Sequence, residues 1–404
     1  MTNAMIWCII TYSVDVLLIA VMKALSFFYV WEICTIHKLS EQLFIQLKGE
    51  HTVVMEDLRV LEGKKITIYD IAKEAGVSPA TVSRVLTSNA KVKSDKLEEV
   101  QAIIAKYNFR PNALARGLTE TRRKVIGIIM ADVRNPYYAN LFVACEQAAR
   151  AKGYSLLLEN SLGRQEIEEQ QLILMEEQRV DAIILVGGRA DDLHSNEAFV
   201  EKVNQVSNSI PVILTGKLDG TSCYQVRIDA IRTMDLVMEH LIALGHRDIA
   251  LVGGLNTVAS SYEKRKRYKQ ILAKYQIPCR PEYYENYGSY DYETGYSQTE
   301  KLLALDNVPT AVIGINDSAS IGAMNCIQEH GFRIPEDISV VGYDNTHICN
   351  MVTPKLTSID YNYDDFAEKL IATVDGVYGS VSLPPLQLIE PSLIIRKSTG
   401  EARR

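Results

Sequence analysis

From Val125 onward the chain alternates short apolar runs with stretches long enough for an amphipathic helix. The runs are Val125–Met130, Ser155–Leu158, Asp181–Val186 and Pro211–Thr215, then Ile249–Val252, Ala311–Ile315 and Ile338–Val341. Rich in Val and Ile, they read as strands buried on both faces of a parallel sheet, each returned by a helix. So many units exceed one compact sheet, which predicts two doubly wound lobes. In such sheets a ligand lies in the crevice beyond the carboxyl ends of the strands. Gly187-Gly188 and Gly253-Gly254 follow two of the runs, but neither makes G-x-G-x-x-G, so dinucleotide binding has little support.

Upstream the period becomes helical. Tyr69 to Ala75 sets Ile71, Ala72 and Ala75 at helical spacing, with Asp70 at the amino end. Gly76-Val77-Ser78 follows, where Gly permits a sharp turn and Ser78 suits the cap of a second helix. Pro79 falls at that helix's first position, where its missing N–H costs nothing. Val82, Val85 and Leu86 face inward, while Ala80, Thr81, Ser83 and Arg84 present small or polar groups. A third helix, Ser94 to Tyr107, adds Leu97, Val100, Ile103 and Ile104 as a core stripe. Two short helices joined by a tight turn form a helix-turn-helix, whose second helix enters the major groove of DNA.

Charge sharpens this picture. The net charge of -7 argues against nucleic acid until it is divided along the chain. Residues 64–124 carry 13 Lys and Arg against 6 Asp and Glu, whereas residues 125–404 carry 26 against 37. A basic module on an acidic body suits a nucleic-acid reader carried by something else. The content of 47% apolar and 23% charged residues excludes fibrous and disordered classes. Seven cysteines, odd in number and never spaced C-x-x-C, predict neither a disulfide scaffold nor a zinc cluster. They read as reduced cytosolic thiols.

Ala4 to Ile36 is apolar enough to suggest a membrane anchor, but Asp15, Lys23 and Glu32 interrupt it. No uncharged run reaches the roughly 20 residues that a span needs. We expect translation to begin at Met55, with residues 1–54 arising from an overextended reading frame; a single uncleaved anchor is the alternative.

Phe109-Arg-Pro-Asn-Ala-Leu-Ala-Arg-Gly-Leu118, taken with Ile68–Leu86, closely resembles the DNA-binding headpiece and hinge helix of the LacI/GalR family of bacterial transcription regulators. The resemblance extends from about Ile66 to Thr399. It implies an α/β protein: a small all-α helix-turn-helix headpiece followed by two doubly wound lobes of periplasmic-binding-protein type. The implied divisions are an N-terminal extension over 1–63, the headpiece over 64–112, and a hinge and linker over 113–124. The effector-binding and dimerisation body would then span 125–404. Within it, lobe 1 is expected over about 125–224 plus 353–382, and lobe 2 over about 225–352 plus 383–404.

For the headpiece, the resemblance implies DNA contacts from Thr67, Tyr69, Ser78 and Thr81, with Asn89, Asn112 and Arg116 further along. Pro79 and Ala80 occupy the base-reading positions yet cannot make bidentate hydrogen bonds. More of the readout therefore falls to Arg84, Ser83 and Thr81, with Arg84 suited to guanine. Leu118 is the implied minor-groove wedge.

In the body, Asp132-Val-Arg-Asn-Pro-Tyr-Tyr138 matches the family's D-x-x-N-P-[FY]-[FY], implying Asp132, Asn135, Tyr137 and Tyr138 at the ligand cleft. Asn316-Asp317 matches N-D-x-x-A-x-G except that Ser320 replaces Ala, and it brings Asp317 to the effector. Asp344, in Gly342-Tyr-Asp-Asn345, joins the set. Where the family commonly reads E-R-x-x-G-[FY], this chain has Glu263-Lys-Arg-Lys-Arg-Tyr268. Lys264 replaces the clamping Arg and loses its planar fork. Either Arg265 compensates from the next position or the effector differs from a neutral sugar.

No catalytic constellation, metal spacing or cofactor motif is present, so the chain is not expected to be an enzyme. The expected protein is a cytoplasmic repressor, a homodimer or tetramer, on a pseudo-palindromic double-stranded operator, controlled by a small-molecule effector. A sugar transporter's solute-binding protein would share the lobes but has no use for residues 66–118. A global regulator answering to a protein partner is the third reading.

Overall fold

The computed structural model describes residues 66–87, 93–107, 109, 123–379 and 383–403. The expected extension, the hinge at 113–119, and Asn89, Asn112, Arg116 and Leu118 lie outside the described residues.

The headpiece holds three helices, α1 (Ile68–Glu74), α2 (Pro79–Thr87) and α3 (Ser94–Lys106). Thr67 caps α1 in a capping box with Asp70, whose carboxylate accepts the Thr67 N–H at 2.9 Å. Reciprocal bonding of this kind satisfies two otherwise orphaned donors at the helix start. Gly76 turns the chain at φ +58°, the left-handed region where a side chain would be strained. Ser78 Oγ then accepts the Thr81 N–H at 3.2 Å and caps α2. Ile71, Ala72, Ala75, Val82, Val85 and Val100 close one small core. Glu74 ties α1 to the end of α3, accepting from Lys106 at 2.8 Å and Tyr107 at 2.7 Å.

In the body, β1 (Val125–Met130) and a strand at Ile249–Val252 match the predicted runs, and the other five runs shift by one or two residues at their ends. A six-stranded parallel sheet joins β1 to β2 (Ser155–Asn160), β3 (Ala182–Val186), β4 (Val212–Leu214), β5 (Tyr224–Ile228) and β10 (Leu386–Ile389). The second sheet holds β6 (Ile249–Val252), β7 (Ala311–Gly314), β8 (Ser339–Tyr343), β9 (Thr357–Asp360) and β11 (Ser392–Ile394), with β11 alone antiparallel. Helices α4 (Pro136–Ala151) and α12 (Tyr363–Val377) bury Leu141, Cys145, Phe366 and Leu370 against one face of the first sheet. In the second lobe α7 (Ala230–Ala243) and α8 (Ala259–Lys274) do the same with Val237, Leu241, Tyr268 and Ile271.

Two lobe assignments are corrected. β9 lies in the second sheet although 353–382 was expected in lobe 1, and β10 lies in the first although 383–404 was expected in lobe 2. The chain therefore crosses between sheets after β5, after β9 and after β10. The cause is register: Leu386–Ile389 pairs with Gln225–Ile228, while Val341–Tyr343 pairs with Thr357–Ile359.

The carboxyl-terminal segment is pinned by a buried histidine. His246 Nδ1 lies 2.9 Å from Thr310 Oγ1, and Nε2 lies 3.1 Å from both Ser339 Oγ and the Gly400 carbonyl. Burial pulls its pKa down to about 4, so the ring is neutral in the fold. Its unfolded counterpart titrates near 6.5, so acid protonates the unfolded chain first and stability is lost as pH falls from there toward 4. Between pH 7 and 5 this single group should cost about 2 kcal/mol. Urea unfolding at both pH values checks it: His246→Gln should be less stable at pH 7 but lose less on acidification than the parent.

Candidate functional site

The headpiece presents the outer side of α2. Ala80 and Arg84, one helical turn apart, are exposed, Thr81 and Ser83 are half-buried, and Val82 and Val85 point into the core. Tyr69 on α1 is 70% exposed. Ser78 and Thr81 are committed to each other, with hydroxyls 2.9 Å apart. Thr67 donates its hydroxyl to Asp70 at 2.6 Å, so a DNA contact from that hydroxyl would compete with the cap.

Between the two lobes lies a cavity of about 840 Å³. Asp132, Asn135, Tyr137, Tyr138, Lys264 and Asp344 all line it. Asn135 caps α4, its side-chain oxygen accepting the Tyr137 N–H at 3.1 Å, which fixes the two tyrosines at the cleft wall. Their rings meet edge to face, with centroids 5.0 Å apart. Asp132 is held by Arg134 through bonds of 2.9 and 2.6 Å, which keeps its carboxyl below the usual range.

Two expected residues do not reach the cleft. Asp317 starts helix α11 (Asp317–Glu329) with its carboxylate turned away. One oxygen accepts from the N–H and hydroxyl of Thr346 at 2.7 and 2.8 Å, and the other from Ser358 at 2.6 Å. It fastens the loop after β8 instead of facing a ligand. Arg265 points the other way round α8, donating to the backbone carbonyls of Tyr284, Gly253 and Asn286. It cannot substitute for the missing clamp. Helical spacing explains this: adjacent residues lie about 100° apart, so Lys264 and Arg265 cannot share one target.

Lys264 sits on the cleft floor. Its Nζ donates to Tyr361 Oη at 3.2 Å and lies 4.0 Å above the Tyr343 ring. No carboxylate forms an ion pair with it among the described residues. Burial pulls its pKa down to about 8, against the pull of Asp344, Asp191 and Asp317. Burial drives Asp344 the other way, well above the carboxylate range, with the Asp317 charge adding to the rise.

The lobes also touch along the cleft rim. Ser260 donates to Asp191 at 2.6 Å, the Leu193 N–H reaches the Thr257 carbonyl at 2.7 Å, and Arg227 faces Glu263 at 3.5 Å. Burial raises Asp191 to about 6. The sequence reading missed Asp191, Arg227, Ser260 and Tyr361. Tyr361 directly follows the carboxyl end of β9, and Asp191 closes the short turn that follows β3, positions that could have flagged them.

Residues 67–112 match the lacI family of bacterial regulatory proteins, and residues 238–399 match the periplasmic binding protein-like domain. Catabolite control protein A of Priestia megaterium is 36% identical over 296 residues, covering 73% of this chain and 87% of that protein. The chain belongs to the lacI family. The HTH-type transcriptional repressor PurR of Actinobacillus pleuropneumoniae serotype 3 (strain JL03) is 32% identical over 82% of this chain and 98% of that protein. The crystal structure of the Lac repressor dimer bound to operator and the anti-inducer ONPF aligns with a TM-score of 0.73 at 27% identity, covering 83% of this chain and 100% of that one. This lacI-family member is thus a DNA-binding transcription regulator whose body carries a periplasmic binding protein-like domain. Among the described residues no helix is long and apolar enough to cross a membrane.

Proposed function

We propose that this regulator is a cytoplasmic repressor that binds a pseudo-palindromic operator as a dimer, and that a small polar ligand between its lobes sets its operator affinity. The observation that carries the ligand part is the cavity itself: about 840 Å³, walled by residues of both lobes and bridged at its rim by Asp191 and Ser260. That volume falls within the range of small-molecule sites. Tyr137 and Tyr138 offer apolar faces on one side, and Lys264 and Asp344 offer polar groups on the other. A ligand touching both walls favours one lobe orientation over another, and by linkage changes DNA affinity by the same free energy.

The dimer follows from headpiece size: one small module makes few phosphate contacts, and two half-sites give an adequate interface. Leu118, in the hinge, would enter the minor groove at the operator centre. Selection of duplexes from a random pool, with and without a metabolite panel, tests both parts. We expect a symmetric site to be enriched and its recovery to change with one class of metabolite. Failure to enrich any sequence overturns the operator; enrichment indifferent to every metabolite overturns the ligand.

A further inference from the structure

We propose that Lys264 captures a small aldehyde or ketone in the cleft as a reversible imine, so that the regulator holds a carbonyl ligand covalently. This rests on the cleft being the ligand site and adds a chemistry to it. Three observations support it. Lys264 is buried, yet its Nζ forms no ion pair among the described residues, and it lines an open cavity. A buried lysine is normally neutralised by a partner carboxylate; without one its amine form becomes accessible, which is how nucleophilic lysines arise. Tyr361 Oη accepts from Nζ at 3.2 Å, and Asp344 lines the same cavity as Tyr361. Asp344 is buried, and burial favours its acid form. Nucleophile, hydroxyl and carboxylic acid therefore line one cavity together.

The chemistry needs nothing else. The Nζ lone pair attacks the carbonyl carbon, and the nitrogen's proton passes through the Tyr361 hydroxyl to the carbonyl oxygen, giving a carbinolamine. Asp344 supplies a proton to the carbinolamine hydroxyl through Tyr361. The C–O bond breaks, water leaves, and the C=N bond forms. The iminium proton returned to Asp344 closes the cycle. Nothing is oxidised or reduced.

Burial lowers the pKa of Lys264, so at pH 7.5 more of its amine is free than the roughly one part in a thousand of an exposed lysine. The test uses the full chain, glycolaldehyde as probe and cyanoborohydride to trap any imine, with adduct sites read by peptide mass spectrometry. Lys266 and Lys269, exposed on the same helix, are internal controls. Adduct per residue should be about tenfold or more higher at Lys264 than at either control. Tyr361→Phe, which keeps the ring and removes the shuttle, should slow labelling of Lys264 by about tenfold. Labelling that merely follows exposure overturns the proposal, as does a rate unchanged in Tyr361→Phe. Glycolaldehyde that raises the thermal midpoint without trapped adduct sinks the imine and spares the cleft. A metabolite panel that never alters operator binding sinks the cleft whatever the trapping shows.

Discussion

Ile71→Asp should abolish sequence-specific DNA binding, by about three orders of magnitude or more, and leave the unfolding of the two-lobed body where it was. Ile71 is fully buried in a small core whose other buried members are Ala72, Ala75, Val82, Val85 and Val100. A module this small buries too little surface to carry much stability in reserve. An aspartate placed there must either stay ionised without a partner or take up a proton, and each costs several kcal/mol. The headpiece would unfold and scatter Ala80, Thr81, Ser83 and Arg84, whose common face α2 creates. The body closes four large core clusters of its own, so its thermal transition should not move. Gel shift on a selected operator and calorimetry of the same preparation check both halves. Retained specific binding would show that α2 reads DNA without its core.

The headpiece was legible because its signals are local. Gly76, Ser78 and Pro79 each have one obvious use at a turn and helix start, and all three are found in it. Six of the seven apolar runs were legible because strands buried on both faces cannot hide in a polar pattern; the seventh, β2, is a sheet-edge strand that is only partly buried. The four strands that were missed explain the misplaced lobe boundaries. Thr357–Asp360 is polar in composition, and the groups that satisfy it, Ser398, Thr399 and the Asp317 carboxylate, are all distant in sequence. Leu386–Ile389 is an edge strand with Leu386 and Leu388 exposed, so no periodicity marks which sheet it joins. The motif residues of the cleft were found with the right neighbours, but motif membership does not give a side chain's direction. Asp317 and Arg265 are the cost of that: both belong to the right segments and both are aimed at backbone or hydroxyl groups of their own lobe.

Arg189→Met is expected to lower the body's thermal midpoint by about 6–15 °C at neutral pH, the largest loss we foresee from one exchange near the cleft. Arg189 and Glu168 are both buried and bond at 2.9 Å, and the guanidinium also reaches the Gln165 carbonyl at 2.9 Å. It stacks 3.7 Å over the Phe199 ring as well. Removing the arginine leaves a buried carboxylate without its cation, which costs about 3–5 kcal/mol. Burial already pushes Glu168 above its ordinary range with Arg189 opposing, so loss of Arg189 pushes it further. The folded variant then binds a proton that the unfolded chain releases above about 4.3. Its penalty should therefore shrink as pH falls from 7 to 5, opposite to the trend set by His246. Adding Glu168→Gln should recover most of the lost midpoint, because the amide carries no charge to strand. Thermal unfolding of the parent and the two variants at both pH values checks this. The pair also anchors the short turn Gly188–Asp191, which carries Asp191 to Ser260 across the rim. If that turn transmits lobe closure, the single variant's ligand response should weaken even at temperatures where it is fully folded. A variant with the parent's midpoint at pH 7 would mean that Glu168 finds another partner, and the rim would owe nothing to the ion pair.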